Sequence, residues 1–198
     1  MKKQMTAVIL AGGASSRMGE NKALIKLGNK TMIERVVEPL RPLFEEILIV
    51  TDTPEVYSFL GKVSFTDDLF ETNYKSSLLG IYSGLKVAKY SSIFVFGCDM
   101  PFLNQALITY MQNQYQGEDL VIPYLKPYYE PLHAIFSKSC LPLIEKALVN
   151  KTYKIVSLIS QLKVRKILKG EVLKFDPLMK CFYNVNTNEE YLEISKEF

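Results

Sequence analysis

At 198 residues the chain is long enough to bury a sizeable core without disulfide or metal staples, and a hydrophobic content of 48% excludes a disordered chain. The formal net charge of +3 permits an anionic ligand but comes with no dense basic block, so nucleic acid is not an expected partner. Cys98, Cys140 and Cys181 are odd in number, far apart and form no C-x-x-C pair, which argues against a disulfide framework or thiolate zinc and suits a reducing cytoplasm.

The opening "MKKQMTAVIL" superficially resembles a signal peptide, but its apolar run leads straight into "AGG" with no cleavage region, so "TAVILA" (6–11) reads as a first strand. Met32, Ile33, Val36, Val37 and Leu40 fall on one helical stripe, and Thr31 with Glu34 has the spacing of a capping box. "EILIV" (46–50) and "SIFVFG" (92–97) are continuously apolar, as parallel strands covered on both faces are. Leu79, Tyr82 and Leu85 predict a helix between them; Leu107, Ile108 and Met111 predict another after them. "LVIPY" (120–124) and "PLHAIF" (131–136) read as strands, with Pro123 marking an edge or irregular position.

A helix is expected over about 141–149, then a polar helix or loop, then "VLKFD" (172–176). The basic "KVRKILK" (163–169) reads as a solvated strand or helix face. Thr187 and Glu190 repeat the capping-box spacing near the end. No apolar run reaches membrane-spanning length, and neither repeat nor linker divides the chain. Strand–helix alternation predicts a single α/β domain, 1–198, with a doubly wound, mostly parallel, Rossmann-like sheet.

The stretch after the first strand, "LAGGASSRMGENKALIKLG" (10–28), carries the chemistry. Gly12, Gly13 and Gly19 allow a sharp turn and close backbone approach, and successive N–H groups in such a loop form an anion site. Arg17 can fork two hydrogen bonds to phosphate, and Lys22 supplies a compact charge. A structural turn alone does not require Ser15, Ser16, Arg17 and Lys22 together. The spacing also fails both the G-x-G-x-x-G dinucleotide fingerprint and the Walker A loop, where Glu20 stands in the place of the lysine. Asp99, ending "SIFVFGCD", is expected at the carboxyl edge of a central strand, where an Asp can hold Mg²⁺ or simply open the turn before Pro101.

The pattern L-A-G-G-x-S-x-R-M-G-x-x-K resembles the molybdenum cofactor guanylyltransferases, the MobA-like branch of the nucleotidyltransferases. "KTMIERVVEPL", "GCDMPFL", "EPLHAIF" and "FYNVNTNEEY" follow in the family's order, so the likeness covers nearly the whole chain. The resemblance implies a nucleotidyltransferase-type sheet and transfer of GMP from GTP to the terminal phosphate of molybdopterin or molybdenum cofactor, releasing pyrophosphate. CTP or another phosphorylated acceptor, or a catalytically silent nucleotide-binding module, are the alternatives. It further implies Mg²⁺ on Asp99 and catalytic roles for Arg17, Lys22 and Asp99. Nucleotide contacts would come from Leu10, Ala11, Gly12, Gly13, Ser15, Arg17, Lys22, Asp67, Gly80 and Asp99, and pterin contacts from Glu130, His133, Asn184 and Asn186. Between the adjacent acids 67 and 68, the frame D-x-L favours Asp67. Ser76 and Ser77 stand where the family has Gly-Pro, which puts the backbone of that turn in question. Cofactor-assembly proteins or recipient apoenzymes are conceivable further partners; neither nucleic acid nor membrane is.

Overall fold

Segments apolar at nearly every position leave no face for water, and the computed structural model, which describes residues 3–12 and 21–198, buries them at the middle of a sheet. In chain order the strands are β1 (Lys3–Leu10), β2 (Lys26–Leu27), β3 (Lys30–Thr31), β4 (Phe44–Val50), β5 (Ser64–Thr66), β6 (Ser92–Gly97), β7 (Leu120–Tyr124), β8 (His133–Ser137) and β9 (Val164–Leu168). The helices are α1 (Met32–Leu40), α2 (Ser77–Val87), α3 (Gln105–Gln114), α4 (Leu141–Val149), α5 (Lys169–Val172) and α6 (Asn188–Ile194). Seven strands form the main sheet in the order β5-β4-β1-β6-β8-β7-β9, while β2 and β3 pair separately. Only β8 runs against the others, since it is antiparallel to both β6 and β7.

Alternation along the central strands sorts the core into two layers. Ala7 and Ile9 of β1 and Phe94 and Phe96 of β6 face α1 and α3, through Val36, Leu40, Leu107 and Met111. Val8, Ile93 and Val95 face α2 and α4, through Leu79, Leu85, Ile144 and Leu148. Each fully buried aliphatic side chain contributes about 1.5–3 kcal/mol of transfer free energy, so the sheet's centre is the most strongly held part of the molecule. Thr31 caps α1 as its spacing requires, accepting from the Glu34 amide while Glu34 returns to the Thr31 amide at 2.7 Å. Thr187 and Glu190 do the same for α6.

Of the two positions expected for Pro123, the irregular one holds, because β7 is not an edge strand but sits between β8 and β9. The β7–β8 ladder ends at Val121, so the missing amide of Pro123 falls beyond it, and the Pro123 carbonyl accepts from the Glu130 amide at 3.1 Å. The basic "KVRKILK" is the edge strand β9, and "VLKFD" closes α5 and the turn after it. Among the described residues no helix is long and apolar enough to cross a membrane.

Candidate active site

Strands that share one direction deliver their carboxyl ends to one edge of the sheet, where an open α/β architecture places its ligands. Here β1 ends between β4 and β6. The Ala11 amide donates to the Val50 carbonyl at 2.9 Å, and the Cys98 amide to the Leu10 carbonyl at 3.2 Å. These bonds bring the segment after β1 and the segment after β6 side by side. Leu10, Ala11 and Gly12 therefore line the same cleft of about 190 Å³ as Gly97, Cys98 and Asp99. Had these two places stood apart, one nucleotide could not bridge them. Gly13, Ser15 and Arg17 lie outside the described residues.

Asp99 is partly buried, and burial raises its carboxyl above the usual range. Its own amide and the charge of Lys22 oppose that rise, while Glu190 adds to it. A Cβ at Gly97 would lie 2.6 Å from Asp99 Oδ1. The carboxylate thus folds back over the strand end, and glycine leaves room for it. Among the described residues no side chain donates a hydrogen bond to the Asp99 carboxylate. Burial pushes the neighbouring Cys98 thiol up to about 12, so it is protonated at neutral pH.

Lys22 arrives from a different direction. It opens a 3₁₀ turn (Lys22–Leu24) whose preceding Asn21 accepts from the Ala23 amide at 3.1 Å and donates to the Tyr57 hydroxyl at 3.0 Å. The lysine is buried, with 9% exposure. Its ammonium donates to the Asn186 carbonyl at 2.9 Å, to Asn186 Oδ1 at 3.4 Å and to the Val185 carbonyl at 3.5 Å. It faces the C-terminal segment and is not part of the cleft lining.

The far wall is the start of α2. Gly80 lines the cleft, and its missing Cβ admits Leu10, whose Cδ2 would otherwise be 2.9 Å away. Ser76 and Ser77 also line it. Ser76 stands at the N-cap position without capping, and its Oγ is buried with no partner among the described residues. Of the two adjacent acids it is Asp68 that lines the cleft, whereas Asp67 is exposed and outside the lining. Burial raises the Asp68 carboxyl, and Lys75, 3.7 Å away, works against that. Lys75 also reaches Asp52 at 3.5 Å.

The four residues the resemblance assigns to the pterin fare unequally. His133 is fully buried on β8 beside Phe96, with Phe94, Phe96 and Phe182 edge-on to its ring at 5.2–5.5 Å. It belongs to the core and reaches no ligand surface, and burial lowers its pKa to about 3. Glu130 is half-buried, with its carboxyl raised by burial alone, and is not in the cleft lining. Asn186 is exposed beside Lys22. The Asn184 side-chain oxygen is buried without a partner among the described residues. The sequence reading missed Asp68, Gly97 and the unpaired hydroxyl of Ser76; only the D-D doublet and the G-C-D run carried any signal of them.

With this geometry in view, the relatives can be set beside it. The profile of the MobA-like NTP transferase domain family matches residues 7–166. The chain belongs to this family. A probable molybdenum cofactor guanylyltransferase of Natranaerobius thermophilus is 34% identical over 199 residues, 99% of this chain and 97% of that one. A molybdenum cofactor guanylyltransferase of Desulfosudis oleivorans is 38% identical over 188 residues, 94% and 92% of the two chains. Among solved structures, molybdopterin-guanine dinucleotide biosynthesis protein A of Archaeoglobus fulgidus superposes with a TM-score of 0.84 at 27% identity, covering 98% of both chains. The doubly wound, mostly parallel architecture is thus that of a nucleotidyltransferase.

Proposed function

We propose that this protein transfers GMP from GTP to the terminal phosphate of molybdopterin, bare or metal-loaded, giving the guanine dinucleotide cofactor and pyrophosphate. The observation that carries the reading is the single cleft shared by the end of β1 and Asp99, together with near full-length relatives named for this activity. An acceptor phosphate oxygen forms a bond to the α-phosphorus of GTP, the bond from that phosphorus to the bridging oxygen breaks, and pyrophosphate leaves with that electron pair. The nucleophile is already anionic at neutral pH, so no protein base is needed. What the chain supplies is alignment of two anions and relief of their repulsion.

The donor set at the cleft fits a hard cation. Asp99 offers oxygen, Cys98 stays protonated, and among the described residues no group of three His, Cys, Asp or Glu forms a cage. Mg²⁺ commonly takes one or two carboxylates and completes its shell with phosphate and water. Asp99 would hold the ion, which when bound neutralises charge on the triphosphate. The glycine loop with Gly13, Ser15 and Arg17 would cradle the phosphates by their N–H and guanidinium donors, and Leu10, Ala11, Gly12, Asp68 and Gly80 would enclose the nucleoside. Asn184 and Asn186 would meet the pterin. We place the reaction in the cytoplasm, where the three free cysteines stay reduced, with recipient apoenzymes as its customers.

The test is pyrophosphate release by the purified protein with each of the four triphosphates, with and without molybdopterin and Mg²⁺. Release requiring GTP, acceptor and metal together is expected. Release with CTP in place of GTP, or none with any triphosphate, would overturn the reading.

A further inference from the structure

The loop that carries Asp99 is held by two sets of contacts. In the first, the Met100 side chain is buried, its sulfur accepts from the Gly97 amide at 3.4 Å, and the Asp99 carbonyl accepts from the Val185 amide at 3.0 Å. In the second, Phe102, three residues beyond Asp99, stacks on Phe198 with ring centroids 5.1 Å apart and planes within 17°. A cation covers each ring. The Arg35 guanidinium carbon lies 3.7 Å from the Phe198 centroid, and the Lys180 ammonium 5.4 Å from that of Phe102. Aromatic faces carry negative potential, so both cations are attracted to them. Arg35 is itself fixed, because its Nε donates to the Leu27 carbonyl at 2.8 Å and its Nη2 donates to the same oxygen. Lys180 pairs with Glu197, the residue before Phe198. The backbone there is tightly docked too: Gly28, at φ +63°, would place a Cβ 2.9 Å from the Phe198 carbonyl oxygen.

From this arrangement we infer that Phe198 is a positioning residue: by stacking on Phe102 it braces the 99–103 loop, and with it the Asp99 carboxylate at the edge of the cleft. The inference rests on the proposed transfer for what Asp99 does there; the brace itself does not. Phe198 is 41% exposed, so it is no core residue whose value lies in buried area alone. Its ring instead joins α1, through Arg35, to the loop after β6, through Phe102. A flat ring is what this job needs, since only a ring offers one face to another ring and the other to a guanidinium. A shift of about 1 Å at a reacting group costs on the order of a hundredfold in rate. The brace therefore acts on alignment, and its loss lowers turnover more than nucleotide affinity.

The experiment compares the wild-type protein with Phe198→Leu, which keeps an apolar side chain and removes the ring, and with Phe198→Tyr, which keeps the ring. Amide hydrogen exchange is read at Val185, whose bond to the Asp99 carbonyl reports the docking of the loop and needs neither substrate nor metal. Exchange there at least fivefold faster in Phe198→Leu, with β1 and β6 unchanged and Phe198→Tyr close to wild type, supports the brace. Unchanged exchange in Phe198→Leu, or equal acceleration in Phe198→Tyr, overturns it. In the transfer assay kcat should fall at least fivefold in Phe198→Leu and recover in Phe198→Tyr, while the GTP dissociation constant, measured without divalent metal, moves less than threefold. Faster exchange with an unchanged kcat, or a loss of GTP affinity as large as the loss of kcat, also overturns the positioning role. Should Phe198→Leu fail to fold, Phe102→Leu removes the other ring of the stack and is read in the same way. If the wild-type protein releases no pyrophosphate, the proposed reaction fails, while the exchange result still decides whether the brace exists.

Discussion

Asp99 and Gly97 act as a pair: the carboxylate lies over the strand end only because residue 97 has no Cβ to meet it. Among the residues assigned to the cleft, Asp99 combines partial burial, a raised carboxyl and no side-chain donor among the described residues. Asp99→Asn keeps the shape and removes the charge that would draw a cation. The expected result is a transfer rate lower by about a hundredfold, the scale of losing one strong electrostatic contact in a water-poor site, with an unfolding midpoint no lower than the wild-type protein's, because burial penalises the charge that is removed. A near-normal rate would take Asp99 out of the mechanism. This residue was readable from sequence because a carboxylate after an unbroken apolar strand has one place to go. The choice between Asp67 and Asp68 was not readable, since two neighbours on an irregular segment point apart and only the path of the backbone decides which enters the cleft.

Elements were legible where the side-chain period was unambiguous. β1, β4 and β6 each hold a continuous apolar run, and α1 carries both its stripe and its capping box. By contrast β9 hides behind Lys163, Arg165, Lys166 and Lys169, the charges an edge strand uses to discourage pairing with another chain. The register of α2 on β1 was hidden too. Gly80, expected only as a nucleotide contact, also belongs with Gly84, one helical turn on, as the strip that lets α2 press against β1. A Cβ at Gly84 would stand 2.8 Å from Val8 Cγ1. Val8 is fully buried and β-branched, so it has little freedom to turn aside. Gly84→Ala therefore sets a helix-propensity gain of about 1 kcal/mol against an overpacking cost of about 1–3 kcal/mol. The stiff neighbour decides for overpacking. A lower urea midpoint is expected, with slower turnover as α2 backs away from the cleft; a higher midpoint would show that the helix can shift without cost.

At the scale of the whole molecule, the sheet's two-layer core also fixes the one imidazole in the chain, and this makes global stability depend on pH. His133 looked like a ligand because "EPLHAIF" resembles a substrate-facing stretch. The antiparallel turn of β8 instead sets it between aromatic rings, something no local pattern announces. Its folded pKa is depressed to about 3, while an unfolded histidine titrates near 6.5. Between those values the unfolded chain binds a proton that the folded one refuses, so stability falls as pH falls through about 6.5 and goes on falling towards 3. One such proton gives a slope approaching about 1.4 kcal/mol per pH unit. Asp68, Asp99 and Glu130, whose carboxyls are raised by burial, act with the opposite sign, so the imidazole's share is read as a difference between two proteins. Urea unfolding from pH 6.5 down to 5.5 should show a steeper loss in the wild-type protein than in His133→Leu, which keeps an apolar group of similar size among Phe94, Phe96 and Phe182. An equal slope in both proteins would mean that the imidazole finds a proton or a partner inside the fold, and that the core around β8 is wetter than its packing indicates.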